Sequence, residues 1–237
     1  MPELPIYSAS GREAPGYSLE RRLARLKDLP AERWRISLKG LRVRSVQETL
    51  RLTGAAELAK DSGSPIFEGS FEALSLIETT ASAGKEIEIG LIREVHRLSS
   101  PPSGGEIRTT ELAPQFQNAR ILSARFIESR LQNLLDWLHG DSGRGMFPAE
   151  RMALWFPRFL EIAPFERGNF RTAHLLLTFF SRADGYPPVS LTFEEAEAVR
   201  GEVERAFLFD TGPLVQRFST ALSRAMDAIE SGSGEAG

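Results

Sequence analysis

The sequence predicts an all-α fold with one small β excursion, and three observations carry that reading. Apolar residues recur at helical spacing in segment after segment. No run of alternating apolar and polar residues repeats along the chain, and no internal repeat is visible. Short clusters of Gly, Pro, Ser and Asp separate the helical segments, as turns require.

Taken in order, residues 1–16 are rich in Pro, Gly and Ser and read as a loose arm. Residues 17–84 form an N-terminal helical region, with "RWRISLK" (33–39) as a weakly extended stretch. Residues 85–230 read as the main domain. In "KEIEIGLIREVHRLS", Ile87, Leu91, Val95 and Leu98 share one helix face. "GEIRTTELAPQFQNARIL" (105–122) reads as a short hairpin or flap. "SARFIESRLQNLLDWL" places Ile127, Leu131, Leu134, Leu135 and Leu138 together, with Ser123 as its N-cap.

"RMALWFPRFLEI" is apolar nearly all round and predicts a buried central helix, with Pro157 kinking it or delaying its start. "FRTAHLLLTFFSRAD" predicts a second apolar helix, closed by "GYPP". "TFEEAEAVRGEVERAF" opens with a capping box from Thr192 to Glu195. The last helix starts near Pro213 and aligns Leu214, Phe218, Leu222, Ala225 and Ile229. The tail 231–237, "SGSGEAG", reads as unstructured.

Composition excludes several function classes. The 237 residues are 41% hydrophobic and 26% charged with a net charge of −3, an ordinary globular balance with no bulk pull toward nucleic acid or anionic membrane. Basic charge is almost all arginine, lysine occurring only at Lys27, Lys39, Lys60 and Lys85. With no cysteine, disulfides, thiolate metal sites and cysteine nucleophiles are excluded. His96, His139 and His174 have no ligand-like spacing. The N-terminus lacks a signal-peptide pattern and no apolar run is long enough to span a membrane, so a cytoplasmic, bacterial-type protein is expected. "HGDSGRG" (139–145) carries the letters found around a trypsin-like nucleophile, but they join two helices here and read as a turn.

The stretch with chemistry in it is "IAPFERGNFRTAHLL" (162–176). A turn with Gly168 and Asn169 opens into an apolar helix, with Arg171 in its first turn. A helix start presents outward N–H groups with partial positive charge, which suits an anion; the bland alternative is a helix connection with Asn169 as N-cap.

The surrounding residues, "FPAERMALWFPRFLEIAPFERGNFRTAHLLLTFFSRADGYPP", resemble the core of the Fic/DOC (Fido-fold) family, whose best-known members transfer AMP from ATP onto protein hydroxyls. Pro164, Phe165, Gly168, Asn169 and Arg171 match in order the family signature H-P-F-x-[D/E]-G-N-G-R-x-x-R. The resemblance implies an all-α Fic fold with a small β-hairpin flap at 105–122 that holds a protein or peptide partner. It implies a nucleotide or phosphate site around Arg167, Gly168, Asn169, Phe170, Arg171 and His174. "SPIFEG" fits the family's inhibitory motif [S/T]-x-x-x-E-[G/N] through Ser64, Glu68 and Gly69, which implies Glu68 paired with Arg167 or Arg171.

Four signature positions depart from the pattern. Ala163 stands where the family has its catalytic His, and an alanine has no proton to move. Arg167 stands at the metal-binding acid, where a guanidinium repels Mg²⁺. Phe170 replaces a glycine, and His174 replaces the last Arg. The expected protein is therefore a Fic-like regulatory binding protein without catalytic residues or a metal site. The alternatives are a metal-independent nucleotide binder, with ATP as the candidate, and a remodelled transferase using Glu166 or Glu161 as base. No nucleic acid or membrane partner is expected, and a homodimer is compatible with small helical domains of this kind.

Overall fold

The computed structural model describes residues 15–102 and 104–232, with side chains from residue 18 onward. The described residues form ten α-helices: α1 (Pro15–Lys27), α2 (Ala31–Leu52), α3 (Pro65–Ser82), α4 (Ile89–Ser99), α5 (Ile127–His139), α6 (Asp141–Arg144), α7 (Pro148–Ile162), α8 (Asn169–Ala183), α9 (Ala196–Phe207) and α10 (Gly212–Ser231). Short 3₁₀ turns at Ala124–Phe126 and Phe193–Glu195 lead into α5 and α9. The expected arm falls outside the described residues up to position 14, and Pro15 already belongs to α1. Of the expected tail, Ser231 closes α10, and 233–237 lie outside the described residues. Among the described residues, no helix is long and apolar enough to cross a membrane.

The core is organised around α8. Every side chain from Thr172 to Ser181 is buried, the polar Thr172, His174, Thr178 and Ser181 among them, because other helices cover every face of this stretch. It packs against α2, α3, α4 and α7. α7 runs from Pro148 straight through Pro157, so the proline does not delay its start. α3 and α4 cross where Gly69 meets Leu98; a Cβ at Gly69 would lie 2.1 Å from the Leu98 carbonyl oxygen, so only glycine permits that crossing. Buried Glu78 on α3 pairs with Arg42 of α2 (2.5 Å) and Arg182 of α8 (4.0 Å). α1 is fastened to α10 where the Arg22 guanidinium donates to Glu230 (2.8 Å) and to Asp227.

Several sequence expectations give way to tertiary context. Residues 33–39 are helical within α2, with Ser37 among its buried residues, so the extended reading does not hold. On α4 the core face runs through Ile92, Val95, His96 and Ser99, and Leu91 and Leu98 are only partly buried. The Ser123 hydroxyl caps no helix; it donates to Glu111 Oε1 (2.8 Å). The Thr192–Glu195 capping box does form, with the Thr192 N–H donating to Glu195 Oε2 (2.9 Å).

No strand is present among the described residues, so the expected β-hairpin at 105–122 is not formed. The backbone groups that would make its ladder are used elsewhere. The Arg108 N–H donates to the Pro164 carbonyl (2.9 Å) and the Leu122 N–H to the Glu161 carbonyl (3.0 Å). The carbonyls of Thr110 and Leu122 are taken by the Arg108 guanidinium (2.6 and 2.5 Å). The segment is an irregular strap fastened to the end of α7.

Candidate functional site

An open cleft of about 1130 Å³ lies where the 163–168 loop faces the end of α4 and the first part of the strap. Its shape starts at Ala163, which ends α7 in a left-handed conformation (φ 43°, ψ 65°), uncommon for a residue with a Cβ. The turn is held from both sides. The Ala163 N–H donates to Phe159 (2.9 Å), and its carbonyl accepts from Arg108 Nε (2.7 Å). Arg108 is 3% exposed and donates to four backbone carbonyls, two of them the orphan acceptors at the end of α7; burial lowers its pKa and the charge of Glu111 opposes that shift.

Asn169 is the first residue of α8 and Gly168 its cap, so Asn169 does not serve as the N-cap. Its buried amide instead grips Phe165 twice: Oδ1 accepts the Phe165 N–H (2.9 Å) and Nδ2 donates to the Phe165 carbonyl (2.7 Å). The Phe165 ring stacks on His96 with centroids 3.7 Å apart and planes 2° from parallel.

His96 is the joint of the whole cleft. The Gly105 N–H donates to its Nδ1 (2.7 Å), so Nε2 carries the proton and donates to the Arg167 carbonyl (2.9 Å). One ring thus ties α4, the strap and the loop. Burial pushes this imidazole below the ordinary histidine range; the bond to the Arg167 carbonyl opposes that shift and the charge of Arg171 adds to it.

Gly168 has φ +74°, and a Cβ there would lie 2.8 Å from Ser100 Oγ and 3.1 Å from His96 Nε2. Gly168→Ala is therefore expected to destabilise the protein by ~2 kcal/mol through strain and crowding together. Urea unfolding of the variant measures this; a cost below about 0.5 kcal/mol would mean that the loop relaxes freely.

The remaining expected site residues divide. Arg167 is exposed and makes no ion pair among the described residues, so its guanidinium is available to the cleft. Arg171 also lines the cleft, but it is turned inward, donating to the Ser99 carbonyl (2.8 Å) and weakly to Thr53 Oγ1 (3.4 Å), and burial lowers its pKa. Phe170 does not offer its side chain to a phosphate: the ring packs edge-on against Phe156 with centroids 5.5 Å apart.

His174 does not reach the cleft at all. It is fully buried, its Nε2 accepting the Leu191 N–H (2.9 Å) and its Nδ1 donating to Thr49 Oγ1 (2.7 Å), which itself donates to the Ser45 carbonyl (2.6 Å). Burial pushes its pKa down to about 4. Lying three residues after Arg171, it faces α2 and serves the core.

The expected pairing of Glu68 with Arg167 or Arg171 is not made. Glu68 is exposed in the first turn of α3 and forms no ion pair among the described residues. Its companions have structural uses: Ser64 Oγ caps α3 by accepting the Phe67 N–H (3.3 Å), and Gly69 permits the α3–α4 crossing. Of the two carboxylates considered as bases, Glu166 lines the cleft and accepts from Thr110 Oγ1 (3.3 Å), whereas Glu161 is paired with Arg158 outside it.

Three cleft residues escaped sequence reasoning. His96 is marked only as a polar residue on a core-facing helix stripe. Arg108 and Ser100 carry no local signal, although Ser100 Oγ is buried without a hydrogen-bond partner among the described residues and lines the cleft. Among the described residues, no cluster of three or more His, Cys, Asp or Glu side chains is placed to hold a metal.

Comparison with known proteins matches residues 86–181 to the Fic/DOC family. The chain is 31% identical over 157 residues to the protein adenylyltransferase fic-1 of Caenorhabditis briggsae, covering 63% of this chain and 31% of that protein. It is 33% identical over 135 residues to the Caenorhabditis elegans protein of the same name, covering 55% of this chain and 26% of that one. The chain thus spans well under half the length of these curated relatives. Among solved structures, a Fic domain containing signaling protein from Bacteroides thetaiotaomicron superposes with a TM-score of 0.79 at 21% identity, covering 94% of this chain and 99% of that chain. Fic-1 from C. elegans gives 0.74 at 22% identity, covering 92% and 71%. At such identities the structural likeness speaks for the fold alone.

Proposed function

We propose, from the premise that residues 86–181 are a Fic/DOC family domain, that this chain is a binding member of the family: its cleft takes an anionic group without metal and does not transfer AMP. One observation carries the reading. The only imidazole in the cleft, His96, has both ring nitrogens bonded to the scaffold, and position 163 offers a methyl group. Loss of a general base typically slows such a reaction by about 10²–10⁴.

Adenylyl transfer, named for the relatives, implies a nucleotide and a divalent cation. The cation does not fit this cleft. Mg²⁺ takes several oxygen ligands in near-octahedral geometry. The cleft's carboxylates are Glu106 and Glu166, with the free Arg167 guanidinium on the same loop.

An anion fits better. The first N–H groups of α8 precede its first helical bond, Thr172 to Gly168, and Gly168 itself lines the cleft. Arg167 and the Ser100 hydroxyl would complete the contacts, the guanidinium supplying the fixed charge that a metal would otherwise bring.

Isotope-labelled ATP, labelled in the α-phosphate, tests the claim. Wild-type protein is expected to place no label on itself or on proteins of a cell extract. Calorimetric ATP affinity is expected to be unchanged by EDTA and to fall about tenfold in Arg167→Ala. Glu68→Gln is expected to leave it unchanged, because Glu68 pairs with neither arginine. Labelled protein from the wild type, or affinity that depends on Mg²⁺, overturns the reading.

A further inference from the structure

The strap at 105–122 borders a second hollow that shares no lining residue with the cleft. It has a volume of about 510 Å³ and lies between Arg120 and Leu122, one face of α5 and the second half of α7. Its apolar lining includes Leu134, Trp137 and Leu154, all half-buried. Its cations are Arg120, Arg130 and Arg158, and its single carboxylate, Glu161, is already paired with Arg158. Arg120 and Arg130 are exposed, with no ion pair or side-chain hydrogen bond among the described residues. On a chain of net charge −3, this is a local basic rim around an apolar hollow.

The edges of the hollow add exposed apolar side chains. Arg158 lies over the ring of Phe209, 4.8 Å from its centroid, which places the α9–α10 corner beside the hollow. There Phe209 is 82% and Leu208 64% exposed. Phe209 also has φ +68°, a left-handed conformation that a side chain of this size rarely takes. The Arg205–Asp210 ion pair (2.5 Å) brackets the corner. One turn before Arg130, Phe126 is 43% exposed with Arg125 over its ring.

Phe209 closes α9 in a left-handed turn, its N–H donating to the Ala206 carbonyl (3.0 Å) and the Asp210 N–H to the Arg205 carbonyl (3.1 Å), a role that glycine fills at less strain; a large ring exposed there beside the hollow is apolar surface of the kind that marks interaction sites. Arginine and aromatic residues are the types enriched in protein interfaces. We propose that this hollow docks an acidic segment of a partner protein, inserting one large apolar side chain against Trp137 while flanking carboxylates meet Arg120 and Arg130. Two free arginines and no stacked aromatic row make a poor nucleic-acid track. The proposal stands apart from the cleft reading, since no atom of the cleft takes part.

The test is selection of a random twelve-residue peptide library on the full chain and on Arg120→Glu/Arg130→Glu, with circular dichroism establishing that both are folded. Wild-type protein is expected to enrich sequences in which an aromatic or leucine residue is flanked by Asp or Glu. A synthetic peptide of that class, followed by fluorescence polarisation, is expected to bind at least tenfold more weakly to the double variant. Its affinity should fall as salt rises, and a version with lysine in place of the acids should not bind. Absence of acidic–apolar enrichment on wild type overturns the proposal, and so does equal binding to both proteins. A single-stranded oligonucleotide that binds the wild type more tightly than the selected peptide also overturns it.

Discussion

Replacing Arg108 with alanine is expected to cost about 4 kcal/mol of folding stability, the largest effect of any side chain around the cleft. The guanidinium donates to the carbonyls of Ala163 (2.7 Å), Ile162 (3.3 Å), Thr110 (2.6 Å) and Leu122 (2.5 Å). Removal leaves those acceptors without their donor in a region where Arg108 itself is 3% exposed. It also removes the positive charge at the end of α7, where carbonyl dipoles converge. Lysine at this position presents one compact ammonium and cannot span carbonyls on two sides, so Arg108→Lys should recover only a minor part. Urea denaturation of wild type and both variants measures the difference. A loss below about 1 kcal/mol for Arg108→Ala would show that water replaces the guanidinium at little cost.

Acidification should destabilise the protein through His174. Above its ordinary pKa of 6.5 the imidazole is neutral in both folded and unfolded chains, and it contributes no pH dependence. As pH falls from 6.5 toward about 4, the unfolded chain takes up a proton that the buried, doubly bonded ring refuses. Stability therefore declines across that window, by about 3 kcal/mol in total. Below about 4 this group adds no further loss. His96, also held neutral by burial, shifts in the same direction. Unfolding midpoints measured from pH 7.5 to 4.5 should show a shallower decline in His174→Gln than in wild type, despite the variant's lower stability at neutral pH. Parallel pH profiles would assign the acid sensitivity to other groups.

The helical scaffold was legible because its code is local. The 3.6-residue spacing in 127–138 and 213–229, and the capping box at Thr192, depend on neighbours a few positions away. The signature residues were legible as letters, but their uses were not. Asn169 reads equally well as a cap or a ligand, and only the Phe165 backbone beside it decides for neither. His174 reads as a phosphate partner until Thr49, 125 positions away, closes one side of the ring. The hairpin failed for a similar reason: Arg108 fastens its segment to carbonyls more than fifty positions along the chain. Long-range hydrogen bonds of this kind leave no period in a sequence.

The packing of Phe170 and His174 gives the chain a direction in sequence space. Glycine at 170 would open a void against Phe156, and arginine at 174 would bury a cation where the ring is now fully enclosed. At these two positions, a change to the signature residue is thus expected to lower stability. The cost in both cases is one of folding: each substitution trades a filled, hydrogen-bonded core position for a letter of the signature.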